Sequence, residues 1–75
     1  MTTLADLPAG ASATVRGVTA EPSLEQRILE MGLLPGVQVK VLRFAPLGDP
    51  MEIRVMGYSL SLRRSEAACI EVEAV

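Results

Sequence analysis

At 75 residues the chain makes one domain, 1–75, with a small core, because the share of surface that folding can bury shrinks at this size. Its 49% hydrophobic content and 21% charge exclude a disordered chain. Seven basic against nine acidic residues, a net charge of -2, and only Phe44 and Tyr58 as aromatics argue against nucleic acid as a partner, since such barrels offer stacking rings and a basic face.

Residues 1–11 carry Leu4 and Leu7 ahead of Pro8, Ala9 and Gly10. They read as an irregular arm with little regular structure, its leucines tucked onto the core. Ser12–Thr19 alternates as a half-buried first strand, with Gly17 marking a bulge or bend. Ser23 is placed to cap a helix, with Gln26 reaching back three residues later as a capping box and Pro22 just outside. Leu24, Ile28 and Met31 fall on one helical face, and Gly32 supplies the left-handed stop. Pro35-Gly36 then suits a type II turn.

Val37–Phe44 gives the cleanest period-two alternation and is the second strand; Met51–Met56 alternates again and makes a hairpin with it. Gly57-Tyr58 reverses the chain into a strand at Ser59–Arg63. Ser65–Ala68 suits a single helical turn, and Cys69–Glu73 alternates as the last strand. Five short strands joined by tight turns curl into a small, mainly β barrel whose closure hides its edges, with the helix over one open end. The inward set is Val15, Val39, Val41, Ile53, Val55, Leu60, Leu62, Ile70 and Val72, with Leu24, Ile28 and Met31 as the plug.

Chemistry is mostly absent. The chain has no histidine, so the commonest general base and transition-metal ligand are both missing, and scattered carboxylates do not converge for a hard cation. No catalytic residue, metal ligand or cofactor is expected, and the chain does not read as an enzyme. Cys69, alone, cannot form an internal disulfide and fits a reducing cytoplasm. The N-terminus lacks the features of a signal peptide, and no apolar run approaches the roughly 18 residues of a spanning helix, so any membrane role runs through a partner.

Leu29 lies about 130 degrees around the wheel from the Leu24, Ile28 and Met31 face. It either touches a neighbouring strand or the arm, or joins Leu33 and Leu34 in a docking surface. Arg63-Arg64 is either solvated surface or a contact for an anionic partner. A barrel with exposed apolar residues can self-associate as a homo-oligomer, but no feature fixes a symmetry.

The string Arg27-Ile28-x-Glu30-Met31-Gly32-Leu33-x-Pro35-Gly36, followed by Val37-x-Val39, resembles the signature of the ferrous iron transport protein A (FeoA) family. Leu4-x-x-Leu7-x-x-Gly10, Gly48-Asp49-Pro50, Leu60-x-Leu62-Arg63-Arg64-x-Glu66-Ala67 and Ile70-x-Val72 agree in order, so the resemblance covers nearly the whole chain. It implies an SH3-like barrel. It also implies a small cytoplasmic protein that docks on the ferrous-iron permease, a membrane protein with a cytosolic G-protein domain, and regulates iron uptake. On that reading Leu29, Leu33, Leu34, Arg27, Arg63 and Arg64 are the partner-binding candidates, with Arg27 or Arg63 available to act in trans on nucleotide hydrolysis. The alternative is an SH3-like accessory module of a metal-dependent regulator, where a related domain occurs, or a nucleic-acid-associated barrel acting through its arginines and Lys40.

Overall fold

Alternation along the strands becomes a single antiparallel sheet in the computed structural model, which describes residues 2–75. In chain order the elements are a 3-10 turn at Leu4–Asp6, β1 (Ser12–Val18), α1 (Pro22–Glu30), β2 (Gln38–Phe44), β3 (Met51–Val55), β4 (Tyr58–Leu62), α2 (Arg64–Ala67) and β5 (Ile70–Ala74). The five strands are ordered β4-β3-β2-β1-β5. Each expected strand is present, with ends shifted by a residue.

The register explains the core. Val39 faces Val55 and Val41 faces Ile53 across β2 and β3, and Val15 faces Val72 across β1 and β5. One face of each strand is thereby apolar, and a slip of one residue would turn it to water. Of the expected inward set only Leu60 stays half-buried; Leu4, Leu7, Ala13, Met51 and Ala67 join the others in the core. The bulge expected at Gly17 is present as a register shift between Val15 and Gly17, and a second shift lies between Val41 and Arg43. Such irregularities increase local twist, which lets so small a sheet curl on itself.

The edges depart from expectation. β4 and β5 are not hydrogen-bonded to each other, so curling does not close the ladder. The arm is also more ordered than its composition suggests. Thr3 caps the 3-10 turn, with Asp6 Oδ2 accepting from the Thr3 amide at 2.9 Å and from its hydroxyl at 3.2 Å. Thr3 then bridges to Glu71, and Val72 donates its amide to the Thr2 carbonyl at 3.0 Å. Two or three arm residues therefore extend the sheet past β5.

Between β3 and β4, Met56 and Gly57 have φ of 48° and 88°, the two positive values that a tight type I′ turn needs. Glycine takes this conformation freely, and methionine takes it at a cost.

Candidate functional site

α1 begins two residues earlier than the capping argument places it. Pro22 is its first residue and Glu21 its N-cap, and Ser23 lies inside the first turn, its hydroxyl donating to Glu21 Oε1 at 3.2 Å. Proline is suited to this position: its φ is already helical, and the amide it lacks would have had no helical acceptor. Glu25 in the first turn and Arg27 in the last both complement the helix dipole.

The far end of α1 decides which leucines reach the surface. Met31 is the C-cap, and Gly32 follows at φ 94°. The Gly32 amide donates to the Leu29 carbonyl at 3.0 Å and the Leu33 amide to the Ile28 carbonyl at 3.4 Å. This nested pair is the Schellman motif, in which the residue after the left-handed glycine turns back to pack near the helix residue whose carbonyl it caps. Leu33 and Ile28 are accordingly both 0% exposed in one core. The expectation that Leu33 lies on a docking surface is therefore corrected: the cap folds it inward. Leu34, one residue on, is 48% exposed, and Leu29 is half-buried. Leu24 and Met31 are also half-buried against the core, so Ile28 is the main plug.

Gly32 has a second constraint. The Tyr58 hydroxyl donates to the Met31 carbonyl and sits where a side chain on Gly32 would project. Tyr58 thus latches the end of α1 to the start of β4.

The charged candidates divide in a similar way. A groove between α1 and the end of β4 is lined by Arg27, Asp49, Pro50, Ser61, Arg63 and Glu66, bringing Arg27 and Arg63 together. Arg27 contacts Glu66 at 3.4 Å with its side chain 68% exposed, a long and solvated pair that contributes little to stability. Glu66 also accepts the Arg63 amide at 2.9 Å, capping α2, while the Arg63 guanidinium has no carboxylate partner among the described residues. Arg64 is turned to another task. Its guanidinium lies 5.3 Å from the centre of the Phe44 ring and donates to the carbonyls of Ala5 at 3.3 Å and Gly48 at 3.5 Å. Its amide donates to Asp49 Oδ1 at 3.1 Å, so Arg64 ties the arm to the β2–β3 loop.

Sequence reasoning missed Asp49 and Glu66 as groove residues. The signal for Glu66 was present: a carboxylate three residues after Arg63 suits a helix first turn. Nothing local marks Asp49, which meets Arg64 only through the fold.

Among the described residues no group of three cysteine or acidic side chains converges to hold a metal ion. Cys69 is half-buried, its thiol 3.5 Å from the Ser65 carbonyl. Among the described residues no helix is long and apolar enough to cross a membrane. At the surface, Leu34 is exposed, Leu29 is half-buried, and Arg27 and Arg63 share one groove.

The model of the FeoA domain matches residues 2–74. A fusion of Fe(2+) transport protein A with the Fe(2+) transporter FeoB, from Porphyromonas gingivalis, is 43% identical over 72 residues; the match covers 96% of this chain and 8% of that protein's length. The solution structure of FeoA from Chlorobium tepidum superposes with a TM-score of 0.91 at 46% identity, covering 99% of this chain and 70% of that one. FeoA from Stenotrophomonas maltophilia, described as an SH3 domain protein and crystallised with zinc, gives 0.86 at 31%, covering 97% and 91%. The mainly β, SH3-like architecture and the match along almost the whole sequence place this chain in the FeoA family, which is associated with ferrous iron transport.

Proposed function

We propose that this chain is a non-catalytic, cytoplasmic accessory protein that docks on the cytosolic G-protein region of a ferrous-iron permease and regulates it. One observation carries the reading: in the Porphyromonas gingivalis relative an FeoA-like stretch shares a polypeptide with the FeoB transporter. Fusion places the two at high effective concentration, which favours a contact too weak to persist between separate chains. The docking surface is the outer side of α1 and its exit, with Leu29 and Leu34 as the apolar part and Arg27 and Arg63 as the charged part. Leu33 is withdrawn from it because it is buried, and Arg64 because its guanidinium is engaged within the fold. The alternative of a nucleic-acid-associated module gains no support from a chain of net charge -2.

Titration of this chain against the purified cytosolic region of a permease, in apo, diphosphate and triphosphate states, tests the proposal. Leu34→Asp and Arg27→Glu are expected to weaken binding roughly tenfold or more with the fold intact, because both positions are exposed. Leu33→Asp is expected instead to unfold the domain by burying an unpaired charge. Absence of binding in every nucleotide state overturns the reading. GTP turnover in the same mixtures shows whether Arg27 or Arg63 acts on hydrolysis.

A further inference from the structure

Val55 and Tyr58 close the tight turn as a bonded pair, which sets the alternation along β3 and β4. The pairs Ile53–Leu60 and Met51–Leu62 then exchange ladder bonds, and the amides and carbonyls of Ser59 and Ser61 point away from β3. Among the described residues neither serine finds a backbone partner on that side, and both are exposed. Sheet edges are ordinarily blunted by a charge, a proline or a bulge; Tyr58–Leu62 has none of these and pairs with β3 without a register shift.

The face of the sheet beside this edge carries an unusual row. Ser12 pairs with Lys40, Lys40 with Arg54 and Arg54 with Ser59, so the four residues cross β1 to β4 in line, all exposed. Two cations directly opposite each other destabilise a strand pair. Ion pairs among the described residues involve Arg16, Arg27 and Arg43, and neither Lys40 nor Arg54 meets a carboxylate. Ser59 is short, leaving Arg54 a clear path over β4. A residue on a strand added outside Ser59 would lie about 10 Å from Arg54, within the joint reach of an arginine and a glutamate.

We propose that the β4 edge takes an extended acidic segment of a protein partner as an added strand. Its backbone would bond Ser59 and Ser61, and its carboxylate would neutralise the Lys40–Arg54 pair. A second copy does not fit: pairing β4 with β4 brings two basic rows together, and β5, the acidic strand, has its own edge occupied by Thr2 and Thr3. This site borders the α1 groove at Ser61 but rests on different groups, the Ser59 amide with Lys40 and Arg54, so the variants at those three positions test it apart from Leu34→Asp and Arg27→Glu.

The probe is a fluorescein-labelled decapeptide of alternating glutamate and threonine, followed by anisotropy at low salt and by amide shifts of Ser59 and Ser61. Saturable, salt-weakened binding is expected, and an alternating lysine and threonine peptide should not bind. Ser59→Pro removes an outward amide while sparing the β3 ladder. That variant and the double variant Lys40→Glu, Arg54→Glu should each weaken binding roughly tenfold or more, with near-native melting. Lack of binding by the native chain overturns the proposal, as does native-like binding by both variants. An oligothymidylate competing as well as the peptide would indicate a nucleic-acid face instead, and a dimer with shifted β4 amides would indicate self-pairing; either overturns it.

Discussion

Along β5 the outer edge is occupied: Thr3 bridges to Glu71, the Thr2 carbonyl takes the Val72 amide, and Leu4 behind them is 0% exposed. Along β4, at the other end of the same sheet, Ser59 and Ser61 present bare backbone to solvent. Two strands of equal length, both alternating, are treated in opposite ways by what flanks them. The difference shows that a few arm residues, anchored chiefly by Leu4 with Leu7 and Arg64 in support, suffice to cover one edge, while among the described residues nothing covers the other.

Removing the anchor tests this most severely. Leu4→Ala deletes a fully buried side chain from the arm and is expected to cost about 2–5 kcal/mol. In a domain of this size each kcal/mol lowers Tm by roughly 4–8 °C. Leu60→Ala, on the half-buried face of β4, should cost about 1 kcal/mol or less, because far less apolar surface leaves water there. Hydrogen exchange at the Val72 amide should accelerate selectively in the Leu4 variant. Equal losses from the two substitutions would mean that the arm only decorates β5.

Arg64 comes next, since it holds the arm from the other side. Arg64→Ala removes the stacking on Phe44 and the bonds to Ala5 and Gly48, and should cost about 1 kcal/mol, as expected for exposed contacts of this kind. Arg64→Lys should recover only part, because an ammonium cannot stack on the ring and bridge two carbonyls with a planar fork. Arg63→Ala should leave Tm nearly unchanged. Thermal melts of the three variants separate the structural arginine from the free one.

These contrasts also mark what was readable in the sequence. The strands were, because period-two alternation is local, and the bulge at Gly17 was, because glycine inside such a run has few other uses. The fate of Leu33 was partly readable. Once Gly32 is taken as the left-handed residue, the next residue is the one that a Schellman motif turns inward, and Ile28 stands at the matching place. What misled was treating Leu33 and Leu34 as a pair, although the cap splits them. The division between Arg63 and Arg64 had no local signal, since it depends on Ala5 from the arm and on Phe44 and Gly48 from the end of β2 and its loop, two segments distant in sequence. The arm's pairing with β5 was hidden for the same reason: Thr2 and Glu71 stand at opposite ends of the chain.

The smallest effect concerns the cap that shapes the sealed edge. The Thr3 amide, and then its hydroxyl, hydrogen-bond to the Asp6 carboxylate and hold its pKa below the ordinary 3.8. A carboxyl whose folded pKa is lowered stabilises the fold when ionised. Its contribution is therefore complete above the unfolded value and lost as pH falls through the lowered one. Asp6→Asn should thus loosen the arm at neutral pH and change little in strong acid, where the native carboxyl is protonated too. Amide exchange at Thr3 and Val72, compared between the two proteins at neutral and acidic pH, reads this directly. Because Asp6 is exposed, the difference should be confined to the arm, with β4 amides unmoved. No difference at either pH would instead mean that the Asp6 cap adds nothing to that edge, leaving Leu4 packing to hold it.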